Sequence, residues 1–404
     1  MSSRREFLQR SGVAAYGLWT APAEPKQAAQ TKSGGSRSVI LCLCGDVMTG
    51  RGIDQILPHP SDPHLYEPHV KSASGYVELA ERASGPIPKP VDHSYVWGDA
   101  LEELARAAPD LRMVNLETSV TTSEDRAPKA IHYRMHPANI ACLTAARIDC
   151  CGLANNHVLD WGHSGLAETL ETLRQARVKT AGAGRNRAEA QEPAIMEVPG
   201  KGRVLAFAFG TASSGIPGDW AATDKKPGVA FLPDLSQEAA SLIGGRVSAH
   251  KRSGDIAVVS IHWGENWGYE IPPDHIGFAH ELVDRAAVDV IYGHSSHHPK
   301  GIEVYKDKPI LYGCGDFLND YEGIGGYEEY RSQLVLMYFL TVDPSTQNLV
   351  RLEMKPLAIR RFRLHRVSRR DAEWLRDTLH REGKKLGTQV QLKADNTLVV
   401  GWRK

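Results

Sequence analysis

The sequence predicts a layered α/β fold, and two observations carry that prediction. Five apolar runs of strand length each end in a short polar motif, and amphipathic stretches with helical spacing lie between them. The runs cover residues 39–43, 111–114, 149–153, 256–261 and 288–292. The motifs are Gly45-Asp46, Asn115-Leu116-Glu117, Asn155-Asn156-His157, His262-Trp263-Gly264 and Gly293-His294-Ser295-Ser296-His297-His298. In layered α/β folds the carboxyl ends of the strands form one edge, and ligands bind there. Carboxylate, amide and imidazole groups far apart in sequence should therefore converge. Oxygen and imidazole donors without thiolates suit divalent ions such as Mn, Fe, Zn or Mg, which points to a metal-dependent hydrolase.

In chain order, residues 1–23 read as a targeting segment. Ser3-Arg4-Arg5-Glu6-Phe7-Leu8-Gln9 matches the twin-arginine export pattern, a modest apolar stretch follows, and Ala21-Pro22-Ala23 offers a cleavage site. Residues 24–37 are small and polar, as in a flexible linker. No apolar run approaches the length needed to span a bilayer. The expected location is periplasmic or extracellular, reached through the twin-arginine export machinery.

From residue 38 the strand and helix signals alternate. Residues 54–96 break that rhythm with Pro, His and Ser, and read as a loop or lid. Helical spacing recurs over 98–108, 137–147, 164–177 and 274–287. Residues 212–234 look like a second loop near the mouth of the site. Residues 333–342 and 349–359 read as antiparallel strands of a second sheet, 369–386 as a charged helix, and 389–403 as a terminal strand pair.

At 404 residues the chain suits one large embellished α/β domain or two domains. Its 48 basic and 48 acidic side chains give zero formal charge, which argues against a nucleic-acid partner. The basic stretch 360–366 is read as a solvated strand face, with polyanion binding as the alternative. Of the six cysteines, four sit in strand-like runs, where a free thiol acts as a small hydrophobe. Cys42 and Cys44 should share one sheet face. No spacing matches a zinc knuckle or a redox CxxC, so structural roles are expected and a disulfide stays open.

Each motif carries its own chemistry. Asp46 at a strand end is a hard ligand or a turn cap. Asn115 and Glu117, at i and i+2, point the same way along an extended backbone. Glu117 could then bridge two ions with Asn115 supporting it, or both could be turn residues. After a buried run, one Asn of Asn155-Asn156-His157 can offer its oxygen to a metal, leaving His157 to donate to a substrate oxygen or a leaving group. His262 alone would be a hydrogen-bonded core histidine. Three imidazoles in five residues (294, 297 and 298) are hard to explain by packing. Two ions about 3.5–4 Å apart would activate water and clamp both oxygens of a displacement; one ion is the simpler case.

The ordered set Gly45-Asp46-Val47-Met48-Thr49-Gly50-Arg51, Asn115-Leu116-Glu117, Ala154-Asn155-Asn156-His157, His262-Trp263-Gly264 and Gly293-His294-Ser295-Ser296-His297 resembles the CapA family. These are poly-γ-glutamate capsule synthesis proteins related to the calcineurin-like metallophosphatases. Supporting matches are Gly182-Ala183-Gly184-Arg185-Asn186 and Tyr312-Gly313-Cys314-Gly315-Asp316-Phe317. The resemblance covers roughly residues 38–320. It implies a four-layer metallophosphatase-like sandwich, two β-sheets flanked by helices, over residues 38–360, with 361–404 as a helix and strand extension.

The resemblance also implies roles. Asp46, Glu117, Asn156, His262, His294 and His297 would hold the metal, one or two ions of Mn, Fe or Zn. His157 would stabilise the transition state. The sequence departs from the superfamily at Met48, where a histidine is usual, at Asn115-x-Glu117 in place of Gly-Asp, and in the spacing of His294 and His297. Glu265 is a further candidate acid or base. Arg51 and Asn115 are candidate substrate contacts. Arg134 is another for an anion, with plain solvation as its alternative. The expected function is that of an exported metal-dependent hydrolase or transferase acting on an anionic capsule polymer or a phosphoester. A phosphoesterase and a non-catalytic polymer-binding protein are the alternatives.

Overall fold

A computed structural model describes residues 38–403. The expected export signal, cleavage site and linker over 1–37 lie outside the described residues. The strand Val39–Val47 is buried along its length except at Ile40, as befits a strand covered on both faces. It pairs in parallel with Leu111–Leu116, which pairs with Cys150–Gly152, which pairs with Lys179–Ala181. On its other side it runs antiparallel to Leu334–Asp343. Asn348–Arg360 follows, and the hairpin of Thr388–Leu392 and Leu398–Trp402 adds to that edge. With Asp316–Leu318 on Val39–Val47 and Arg363–Arg366 on Asn348–Arg360, the sheet has ten strands.

A second, seven-stranded sheet has the order Phe231–Leu232, Gly202–Thr211, Ile256–His262, Val290–His294, Lys308–Leu311, Ile302–Tyr305, with Ala194–Val198 paired to Gly202–Thr211. Strand alternation divides its side chains between two layers. Val204, Ala206, Ala208, Ile256, Val258, Val290 and Tyr292 join the core of the first sheet. Leu205, Phe207, Phe209, Ala257, Val259 and Ile261 pack instead with Ile243 and Val247 of helix Gln237–His250 and Phe278 and Leu282 of helix Pro273–Arg285. Helices Ala73–Ser84, Ala100–Ala107 and Gly162–Gln175 contribute Val77, Leu104 and Leu166 to the core of the first sheet. The result is the expected four-layer sandwich. The sheets touch at Gly152, where a Cβ would stand 3.3 Å from Ser260 Oγ.

Several elements differ from expectation. Residues 54–96 hold a twelve-residue helix, Ala73–Ser84, started by Ser72, whose Oγ accepts from Ser74 N–H at 3.3 Å. Its buried face is only Ala73, Tyr76, Val77 and Ala80, too short a pattern to stand out among the flanking Pro and His. The stretch 137–147 breaks into a 3₁₀ turn, Pro137–Asn139, and a short helix, Ala141–Ala145. Leu334–Asp343 and Asn348–Arg360 extend the first sheet rather than building the second, because Leu334–Asp343 is buried on both faces and takes Val39–Val47 as its partner. All six cysteines are buried and free, with the Cys42 and Cys44 sulfurs 4.0 Å apart on one face. In the basic stretch, Arg366 pairs with Glu102 and Glu103. Among the described residues no helix is long and apolar enough to cross a membrane.

Candidate metal centre

Close backbone approach lets the cluster assemble. Asp46 lies opposite Asp316 in the parallel pairing of Val39–Val47 with Asp316–Leu318. A Cβ on Gly45 would stand 1.6 Å from the carbonyl oxygen of Gly315, so glycine is required there. Asp46 N–H donates to that carbonyl at 3.0 Å. Asn115 sits beside Asp46 on the next strand, and His262 and His294 are direct partners on adjacent parallel strands.

Asp46, His262 and His294 form the inner group. Their candidate ligand atoms lie within 4.8 Å of one another. His262 Nδ1 and His294 Nδ1 are 2.7 Å apart, and His294 Nδ1 is 3.7 Å from Asp46 Oδ1. Asn115 Nδ2 donates to Asp46 Oδ1 at 2.7 Å, and Ser260 Oγ fixes the far side of the His294 ring at 2.6 Å from Nε2. Ser295 N–H donates to Asp46 Oδ2 at 3.1 Å from a backbone with φ of 104°. That left-handed conformation is costly for a non-glycine residue and is the kind of strain that functional sites hold.

Glu117 links this group to the next. Its Oε1 lies 3.8 Å from His262 Nε2 and 3.7 Å from His157 Nε2, and Asn156 Oδ1 lies 3.1 Å from His262 Nε2. His157 Nδ1 is 2.7 Å from Asp160 Oδ2. Lys129 Nζ donates to Asp160 Oδ1 at 2.7 Å and to the carbonyl of Asn156. A third group pairs His297 Nδ1 with Asp316 Oδ1 at 2.9 Å, and Asn319 Nδ2 donates to the other Asp316 oxygen at 2.7 Å.

Burial dominates the electrostatics. It raises the Asp46 carboxyl to about 7, with the Asp316 charge adding to the rise and Asn115, His297 and Ser295 opposing it. Burial, then Asp46 and Asp316, push Glu117 well above the ordinary carboxylate range. Burial lowers His294 to about 3 and His157 to about 4, and with neighbouring imidazoles it lowers His262 as well. Burial would also lower His297, but the Asp316 carboxylate outweighs it and raises that imidazole. Crowded carboxylates that resist ionisation beside neutral imidazoles are a donor set in want of a cation. Glu117 Oε2 tests the fit: it is buried and has no hydrogen-bond partner among the described residues. Carboxylate and imidazole atoms of this kind suit a divalent cation.

Asp46, Asn115, Glu117, Asn156, His157, His262 and His294 come together, and His297 joins through Asp316. Glu265 does not: it is exposed, outside the buried cluster. Arg51 is no free anion holder. Its guanidinium is buried between Asp320, at 3.1 Å from Nε and 2.5 Å from Nη2, and Glu67, at 2.9 Å. Asn115 is fully buried, donates to Asp46 and accepts from Asn155 Nδ2 at 3.1 Å, so it braces ligands rather than facing a substrate. Arg134 stacks on Trp161 and donates to the carbonyl of Ser123. Met48 offers no imidazole; its sulfur accepts from Tyr321 Oη at 3.6 Å.

Sequence reading missed Asp316, Asp160 and Lys129. Asp316 stands inside the matched Gly313-Cys314-Gly315-Asp316-Phe317 stretch and Asp160 three residues after His157, so both had a signal. Lys129, in a loop without periodicity, had none.

Comparison with known proteins adds a family. Residues 40–321 match the family described as bacterial capsule synthesis protein PGA_cap. A probable polyglutamine synthesis accessory protein of Mycobacterium tuberculosis is 48% identical over 364 residues, covering 90% of this chain and 96% of that protein. The capsule biosynthesis protein CapA of Bacillus anthracis is 24% identical, covering 76% of this chain and 64% of its own length. The PGA biosynthesis protein CapA of Bacillus subtilis is 25% identical, covering 78% and 70%.

Proposed function

Because the chain belongs to the PGA_cap family of bacterial capsule synthesis proteins, we propose that its buried cluster is the reacting centre of a metal-dependent hydrolase or transferase. The bond attacked would be an amide of a poly-γ-glutamate-type polymer. The observation that carries this reading is the Asp46–His262–His294 triad with the partnerless Glu117 oxygen beside it. Asp46, His262 and His294 would hold one ion. Glu117 and Asn156 would complete its shell or begin a second site with His297 and Asp316. When bound, a divalent ion supplies Lewis acidity and makes water a nucleophile at neutral pH.

The chain's own residues handle the proton. Asp160 is held ionised: burial opposes this, but His157 and Lys129 outweigh it. An ionised carboxylate only accepts, so the hydrogen-bond network assigns the His157 proton to Nδ1 and leaves a lone pair on Nε2. That lone pair faces the Glu117 side of the cluster, where it would take a proton from the attacking oxygen and return it to the leaving group. Lys129 pins both Asp160 and the Asn156 carbonyl, which fixes the loop carrying the pair.

The test is elemental analysis of the purified full chain, followed by a panel of γ-glutamyl amides and phosphoesters. Bound Mn, Fe or Zn with amide cleavage supports the reading. Metal with phosphoester cleavage alone moves the substrate to a phosphoester. Absence of metal with a fully functional His157→Ala variant overturns it in favour of polymer binding without catalysis. Export by the twin-arginine route belongs to the same proposal: a reporter fused to residues 1–37 should leave the cytoplasm, and Arg4→Lys with Arg5→Lys should retain it.

A further inference from the structure

A cavity of about 570 Å³ opens beside the buried cluster, with His297 in its wall. Its inner wall is aromatic. Tyr133 packs edge-on to His157 with ring centres 4.3 Å apart, and Tyr321 stands edge-on to His297 at 5.2 Å. Its outer wall is Trp267, stacked on Tyr327 with centroids 4.0 Å apart and planes 5° apart. At the mouth, Ile131, Ile324 and Tyr327 are 41%, 50% and 47% exposed. Large apolar side chains left in water around a cavity that adjoins a polar centre mark a binding surface.

The charges in the wall narrow the ligand. The cation, Arg51, is already engaged by Asp320 and Glu67. Glu67 is spent on Arg51, Glu328 adds negative charge, and the exposed His69 is the further imidazole in the wall. His297 is paired with Asp316. A segment of polyanion entering here would meet carboxylates with no free arginine or lysine among the lining residues, and would lose its hydration against aromatic walls.

We propose that this cavity is a subsite for an uncharged planar ring borne by the non-polymer partner of the reacting amide, the group joined to or released from the polyglutamate chain at the buried cluster, with the carboxylates of the polymer directed away from it. Its place in catalysis rests on the reading of the cluster as a reacting centre; its ability to bind a ring does not.

Binding of 4-nitroaniline, a neutral aryl probe, to the intact full chain tests this by calorimetry, with γ-glutamyl-glutamate as the charged competitor. Trp267→Ala removes the stacking wall. Ile324→Asp places a charge at the exposed mouth, where folding is not at stake. The expected result is that the probe binds, that each substitution weakens it about tenfold, and that γ-glutamyl-glutamate does not displace it. Unchanged probe affinity in both variants, or displacement by γ-glutamyl-glutamate at equal or lower concentration, overturns the proposal. Either failure, with metal content and bond cleavage retained, removes the subsite and leaves the reacting-centre reading standing.

Discussion

His157 and Asp160 stand 2.7 Å apart through Nδ1 and Oδ2, and the opposite ring nitrogen of His157 looks 3.7 Å across to Glu117. The pair therefore has a fixed direction, with a carboxylate behind the ring and the cluster in front. Asp160→Asn keeps the shape but can donate to Nδ1, which would turn the proton to Nε2. Turnover should fall about 10²–10⁴-fold, the usual worth of a positioned acid–base group. Metal content should be unchanged, and the two measurements together separate tautomer control from loss of the site.

Removal of metal should cost stability. An ion that binds only the folded chain stabilises it by mass action, about 2.7 kcal/mol at a hundredfold excess over Kd. Dialysis of the purified protein against a chelator should lower its melting temperature by several degrees, and returning Mn or Zn should restore it. In His294→Ala the chelator should have little further effect. An unchanged melting temperature in a protein shown to carry metal would contradict the assignment of the buried triad.

Arg51 gives a prediction that separates structure from substrate binding. It joins Glu67 and Asp320 inside the protein and lies over the rings of Tyr76, at 3.9 Å, and Tyr133, at 4.3 Å. Removing one member of a buried ion pair leaves the others uncompensated and typically costs about 3–5 kcal/mol. Arg51→Ala should lose stability on that scale in a denaturant titration. If Arg51 instead held an anionic substrate, the substitution would raise KM and leave the denaturation midpoint alone.

His275, packed on the residue that follows the candidate ligand His262, should make stability depend on pH. It stacks on Trp263, with centroids 4.4 Å apart, and burial lowers it to about 4, with Asp274 opposing and Lys300 adding to the shift. An unfolded histidine takes its proton near pH 6.5. Between about 6.5 and 4 the unfolded chain thus binds more protons than the folded one, and stability falls as the pH falls. The contribution is complete above pH 6.5 and lost through pH 4. His275→Phe keeps the stack and should remove about 3 kcal/mol of that acid sensitivity, measured as the difference in unfolding free energy between pH 7 and pH 4.

The site was legible where strands end. Asp46, Glu117, His157, His262 and His294 each follow an apolar run, and parallel pairing sets such ends side by side. Local pattern could not reveal which partner a strand would choose. Leu334–Asp343 joined the first sheet because its neighbour lies at the other end of the chain. Arg51 looked like a substrate contact because its carboxylate partners lie outside its own motif, Glu67 16 residues on and Asp320 269 residues on. Asp316 escaped for a different reason: its strand has only three residues, too few for periodicity, and its signal lay in the matched stretch 313–317 alone.

The contact of Gly45 with Gly315 has a consequence for how the protein is made. Synthesis delivers Asp46, Glu117 and His157 early, yet the backbone that flanks Asp46 and the carboxylate opposite it arrive only with residues 315 and 316. Asp320, which holds Arg51, is 269 residues downstream of it. A nascent chain therefore carries ligands without a cage, and any fragment ending before this point is an incomplete binder. The donor set becomes whole only once more than three-quarters of the chain has been made, so capture of the ion belongs to the late part of the protein's synthesis.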